Sequence, residues 1–455
     1  MFRHFSRDEA KTLLLLGVPV FLGQMAQLGM SFVDTVAAGR YAAVDMAAVA
    51  VATSFWIPGS MFGQGLIMAL TPLVAQAEGA GDRRESVRLF RQGVWMALAI
   101  AALLMLLFLS ISFLLPHWEH TDPQLSGKAS EYLFAVLWGI PALTLFQVER
   151  CFLEGHGQTR PGMIAGFIGL ALNIPLNIVF VFGYCGFPEL GGAGCGVATA
   201  ILFWFQAASL FFFVVRTNSE APGLALPDRF RLKRLVRIGL PGAFAMLNET
   251  AAFSLIAIIV APLGVTAVAS HQIALNISAL IWVCPLAIGS AGTIRVSTML
   301  GAGSVDGAKR ARVTSLCLTL MLACVLAVFL YIFRYSIAAV YNDAEEVLEL
   351  AGLLLICDVV YQFPDGIQTN TLCALRGWND TRAIFCITFL AYWCVSLPLG
   401  WVLCMTDWLT PAPLGVLGFW LALIAALSAA AVLYLLRVRH LESLSVEEMR
   451  RKIGR

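Results

Sequence analysis

Asp358, Tyr361 and Asp365 lie in a long apolar run, and their i, i+3, i+7 spacing puts all three on one face of a helix. Pro364 falls beside them, where a helical proline would free backbone carbonyls. Carboxylates, a phenol and loosened carbonyls are hard oxygen ligands suited to Na⁺. The same carboxylates could instead carry a proton, because an apolar setting disfavours a bare charge. Three more acidic residues interrupt apolar runs: Asp34, Glu249 and Glu149. Glu149 adjoins Arg150 and reads as a local ion pair. For the others, the alternative to a functional role is a helix–helix ion pair or hydrogen bond with Arg295 or His271. Asn173 and Asn177 are spaced i, i+4 around Pro175. They could line a cavity or bind neighbouring helices, and Gln24, Gln27 and His271 are similar. No His/Glu metal pair at helical spacing, Gly-rich phosphate loop or nucleophile with a partner base is present, which argues against an enzyme and against a bound cofactor.

These residues are carried by an unusually apolar chain. Of 455 residues, 59% are hydrophobic and 13% charged, against roughly 25% charged in a soluble domain. Such a chain needs a lipid-facing surface. The net charge of +2 and the lack of a dense basic tract exclude nucleic-acid binding. A membrane span needs about 20 mostly apolar residues. Twelve candidates occur, near 13–36, 48–74, 92–115, 131–152, 162–183, 193–215, 236–262, 270–294, 313–336, 347–375, 383–405 and 414–436. The first is too long for a cleavable signal peptide. Of 30 Lys and Arg, all but Arg40, Lys128 and Arg334 fall on one side of this topology, so both termini are expected in the cytoplasm. The expected class is an all-α membrane protein of twelve transmembrane helices.

The halves repeat at an offset of 222 residues. Gly17 and Pro19 fall on Gly239 and Pro241, Gly79-Ala80-Gly81 on Gly301-Ala302-Gly303, and Thr159-Arg160 on Thr381-Arg382. Six spans per repeat is an even number, so the repeats run parallel and their symmetry axis is expected along the membrane normal. The polar junction near 217–234, with Pro222 and Pro227, separates lobes at 1–220 and 221–455. Cys185 and Cys195 flank a short loop and could pair if that loop is extracytoplasmic.

Several segments together resemble the multidrug and toxic compound extrusion (MATE) family, specifically its NorM branch. They include Phe32-Val33-Asp34-Thr35, Asp45-Met46-Ala47-Ala48-Val49, Pro72-Leu73-Val74-Ala75-Gln76 and Asn173-Ile174-Pro175-Leu176-Asn177. Gly194-Cys195-Gly196-Val197-Ala198-Thr199-Ala200, Ala261-Pro262-Leu263-Gly264, His271-Gln272 and Leu375-Arg376-Gly377 extend the likeness along the chain. The resemblance implies two six-helix lobes around a V-shaped cavity. It implies an inner-membrane antiporter, with a monomer expected, that exports amphipathic and often cationic drugs against Na⁺ or H⁺ entry. Glu249 and Asp365 match the family's cation-site acids, with Tyr361 beside them, and Asp34 matches its proton- and drug-coupling aspartate. A lipid-linked saccharide flippase of the same superfamily is the rival. Flippases carry a basic cavity for pyrophosphate, whereas intramembrane charge here is mainly acidic.

Overall fold

The computed structural model describes residues 5–118, 122–221, 223 and 225–453, so Pro222 lies outside the described residues. Within these the chain is helical, with no strand. Spans 1 to 3 are Arg7–Tyr41, Ala43–Gly79 and Arg83–His117, and spans 5 and 6 are Arg160–Phe182 and Gly192–Thr217. Span 4 is a pair, Pro123–Leu137 and Ile140–Gly155, bent by 49°. Spans 7 to 9 are Arg229–Leu263, Val265–Gly301 and Val305–Ala339. Spans 10 to 12 are Glu345–Gly377, Thr381–Met405 and Val416–Glu442. Among the described residues, eleven helices are long and apolar enough to cross a membrane, and the bent pair makes twelve. A short helix, Val446–Ile453, follows.

The breaks have local causes. Pro141 has no backbone N–H and stands in the first turn of Ile140–Gly155, just past the bend that divides the apolar run 131–152. In span 11 a π-helical turn, Leu390–Ser396, precedes Pro398. A proline ring clashes with the carbonyl four residues back, and widening the preceding turn relieves that crowding. Two of the three cations opposite the basic side are partnered. Lys128 pairs with Asp45, and the Arg334 guanidinium lies 4.8 Å from the Tyr331 ring centre and 4.7 Å from that of Tyr335. Asp45 also accepts the Gly192 N–H at 2.8 Å, tying spans 2, 4 and 6 together. Cys185 is exposed, Cys195 is buried, and neither is in a disulfide.

The chain forms two compact units. One comprises Met1–Phe21 with Phe244–Arg455, the other Leu22–Ala243. The division therefore falls twice, inside spans 1 and 7, and not once near residue 220. The repeat explains why. A Cβ on Gly17 would sit 3.5 Å from the Ala287 carbonyl oxygen and 3.7 Å from Ile288 Cα. A Cβ on Gly239 would sit 2.3 Å from the Leu66 carbonyl oxygen. Gly17 and Gly239 are repeat equivalents, and so are Leu66 and Ile288. Each half thus lends the start of its first span to the span 2 equivalent of the other half. Leu13 and Leu16 join Ala291 and Ile294 in a small apolar cluster.

Charge anchors both lent segments. Glu9 of span 1 accepts two bonds from Arg295 of span 8, at 2.7 and 2.8 Å. Arg231 of span 7, the repeat equivalent of Glu9, donates to Glu85 of span 3 at 2.7 Å. Arg231 also holds the half-buried Asp228 carboxyl below the usual carboxylate range. Each unit has its own apolar interior. Trp56, Phe90, Phe108 and Phe152 fill one, and Tyr392, Phe419, Trp420 and Leu427 the other.

The Gly239 contact is testable. Gly239→Ala is expected to lower the thermal stability of the purified protein, at an overpacking cost of about 1–3 kcal/mol. Gly127→Ala, where an added Cβ meets nothing within 4 Å, is the control. Equal melting temperatures for the two variants would dismiss the close approach.

Candidate functional site

The unit containing Phe244–Arg455 gathers most of the buried acid. Span 10 stays helical through Pro364, and Asp358, Tyr361 and Asp365 are all buried on it. Span 7 brings Glu249, which accepts the Tyr392 hydroxyl at 2.9 Å. Tyr392 sits on the π-helical turn of span 11, where the wider turn re-aims side chains. Asp365 takes a hydrogen bond from Thr369, one helical turn on. The carboxylates of Glu249 and Asp358 lie within electrostatic reach of both Asp365 and the Tyr361 hydroxyl. Ser278 of span 8 donates to Asp358 Oδ1, while Asp358 Oδ2 is buried without a partner. The structure therefore brings together Glu249, Tyr361 and Asp365, with Asp358 close by. It adds Tyr392, which spacing along span 10 could not reveal.

The ion-pair alternative for these acids is not what forms. Arg295 is taken by Glu9. His271 is buried and accepts the Trp420 indole N–H at its Nδ1, 3.3 Å away. Trp420 in turn meets the Tyr361 ring edge-on at 5.8 Å between centres. Among the described residues no three His, Cys, Asp or Glu side chains form a metal-ion cluster. A cation held here would have to draw on hydroxyl and phenol oxygens beside the carboxylates.

The unit Leu22–Ala243 has a smaller polar centre around Asp34. Its Oδ1 accepts from Asn173 Nδ2 at 2.9 Å and Asn177 Nδ2 at 2.7 Å, and its Oδ2 from the Thr199 hydroxyl at 3.2 Å. Spans 1, 5 and 6 thus meet at one carboxylate. The amide oxygens of Asn173 and Asn177 are buried and accept no hydrogen bond. Turning either amide over would offer an acceptor to a proton placed on Asp34. Thr199 was visible in the sequence only as part of a small-residue motif. Gln27 is half-buried and without a hydrogen-bond partner among the described residues. It is the repeat equivalent of Glu249, so one repeat carries an amide where the other carries an acid.

Glu149 does not pair with Arg150. Arg150 turns to Glu154 at 3.2 Å, one helical turn along span 4, and Glu149 is 5% exposed with Oε2 unpartnered. Adjacent helical residues point about 100° apart, so the neighbour in sequence is the wrong partner.

The comparisons agree with the repeat. A family model described as MatE matches residues 19–179 and again 241–402, and the two matches begin 222 residues apart. Among solved structures, the chain is similar to a eukaryotic MATE transporter, AtDTX14, with 18% identity, 98% of each chain covered and a TM-score of 0.86. It is similar to a MATE in complex with MaL6 at 19% identity, 97% coverage of each chain and a TM-score of 0.85. A MOP superfamily transporter from Pyrococcus furiosus, described as having reversed binding-pocket polarity, matches at 19% identity, 96% coverage of each chain and a TM-score of 0.85.

Proposed function

This chain belongs to the MatE family of multi-pass membrane efflux transporters, and from that premise we propose that it exports amphipathic organic cations in exchange for Na⁺ or H⁺. The observation that carries the proposal is the convergence of Glu249 and Asp365, from separate spans, with Tyr361 and Tyr392 beside them. Two carboxylates in a low-dielectric setting repel each other, and a bound Na⁺ or a shared proton relieves that repulsion. Cation entry then favours one conformation and release the other. Drug affinity responds only as far as it differs between the two. Asp34 is the second coupling group, placed where it can take a proton or neutralise a cationic drug. The basic loops face the cytoplasm in this reading, the membrane is the bacterial inner membrane, and the transporter is a monomer.

The lipid-linked saccharide flippase is disfavoured by charge. A pyrophosphate passing through the membrane needs cations, and the groups gathered at this site are the carboxylates Glu249, Asp358 and Asp365, with Arg376 within electrostatic reach of Glu249. Proteoliposomes loaded with a fluorescent cationic dye, under a Na⁺ gradient or a pH gradient applied separately, provide the test. At least one gradient should drive dye flux. No flux under either, with transbilayer movement of a lipid-linked saccharide, would overturn the proposal.

Tyr392 refines the same assay. Its hydroxyl stabilises the bare Glu249 carboxylate, and a hydrogen bond to a charged group is worth about 1.5–3 kcal/mol. Tyr392→Phe should therefore make the empty site less favourable. The half-saturating proton concentration should fall roughly tenfold while maximal flux also falls, because release slows. A raised half-saturating proton concentration would contradict this role.

A further inference from the structure

The start of span 7 carries a stripe that the transport cycle does not use. Arg229, Lys233 and Arg237 are exposed and spaced i, i+4, i+8, so they share one helix face. None has an acidic partner among the described residues. Exposed apolar side chains lie along the same face, namely Phe230 at 77% exposure with Val236 and Leu240. The opposite face is packed, with Leu235 buried and Gly239 against Leu66. The nearest acid, Asp228, is turned into the pair with Arg231 and accepts the N–H groups of Phe230 and Arg231. The first turn is therefore capped, and an anion on this stripe would be held by side chains.

We propose that this face binds the headgroup of an anionic phospholipid. From Arg229 to Arg237 the rise is about 12 Å. The headgroup layer on each side of a bilayer is only roughly 5–8 Å thick. The three cations therefore run from the aqueous edge to the acyl boundary, and Arg237 can reach back toward a phosphate along its apolar stem. Phe230, Val236 and Leu240 offer a bed for acyl chains, which a free anion does not need.

The repeat supplies an internal control. The equivalents of Arg229, Phe230, Lys233 and Arg237 on span 1 are Arg7, Asp8, Lys11 and Leu15. The shared fold therefore does not require the basic stripe. A stripe of three cations with an aromatic in place of Asp8 is a property of span 7 alone. Span 7 is also one of the two helices whose residues are divided between the two compact units.

The test uses the full chain purified in a neutral detergent and titrated with phosphatidylglycerol, with adducts read by native mass spectrometry. Phosphatidylglycerol should bind in preference to phosphatidylcholine. Each basic residue near an anionic headgroup is worth about fivefold. Arg229→Gln/Lys233→Gln/Arg237→Gln should therefore weaken binding roughly a hundredfold. Arg237→Leu, which installs the residue that the repeat accepts at Leu15, should weaken it about fivefold. Arg83→Gln/Arg84→Gln/Arg88→Gln, on the exposed start of span 3, should leave it unchanged. Undiminished binding by the triple span 7 variant would overturn the proposal, as would an equal loss in the span 3 variant. Displacement of the lipid by equimolar inorganic phosphate would overturn it too, because it would mark a site for a free anion. The readout is binding, so it stands or falls independently of the transport assay.

Discussion

Asp365→Asn and Glu249→Gln are each expected to abolish cation-driven flux in proteoliposomes while leaving a folded protein that still binds its organic substrate. The argument is electrostatic. A unit charge about 4 Å away contributes about 4 kcal/mol at an effective permittivity near 20. Losing it should weaken cation binding by roughly two to three orders of magnitude. Both replacements keep the side-chain shape. Gln at 249 retains an amide oxygen to accept the Tyr392 hydroxyl, so the span 7–span 11 contact survives. Asn at 365 can still accept from Thr369. Tyr361→Phe removes an oxygen ligand but no charge, and should cost far less. Dye-binding fluorescence on the purified variants separates lost coupling from lost folding. If either carboxylate variant transports at the wild-type rate with unchanged ion dependence, the shared site is refuted.

Much of this was legible in the sequence, and the reasons differ by residue. Span positions and the 222-residue offset are written in long apolar runs and in glycines, both of which survive without knowledge of contacts. Asp358, Tyr361 and Asp365 could be placed on one face because a single helix fixes their spacing. Glu249 could be nominated because an acid in an apolar run is costly. Tyr392 could not be found this way. It reaches Glu249 from another helix, on a π-turn whose only sequence signal is Pro398 downstream. The exchange of span starts was hidden for a similar reason. The polar junction is where the sequence between spans 6 and 7 turns hydrophilic, whereas the units divide inside spans 1 and 7, past the starts that pack at Gly17 and, most closely, at Gly239. Glu149 and Arg150 show the converse error, a pairing inferred from adjacency that helical geometry forbids.

Asp34→Asn should reduce drug resistance in cells to near the level of the empty vector, at equal protein abundance. The hydrogen bonds explain why folding should survive. An asparagine at 34 can keep its amide oxygen toward Asn173 and Asn177, which both donate, and present its NH₂ to Thr199, whose hydroxyl can rotate to accept. Every contact is thus conserved and only the charge and the titratable oxygen are lost. Asn173→Ala does the opposite. It removes one donor and leaves the carboxylate ionisable, with Asn177 and Thr199 still bound. If Asp34 served only to tie spans 1, 5 and 6 together, Asn173→Ala would be the more harmful change, because it breaks one of those ties. If Asp34 couples transport by taking a proton or meeting a cationic drug, Asp34→Asn should be severe and Asn173→Ala mild, at most about tenfold from one hydrogen bond to a charged group. Minimal inhibitory concentrations for both variants, normalised to protein level, decide between the two. Unchanged resistance in Asp34→Asn would leave the residue structural and place the coupling in the other unit alone.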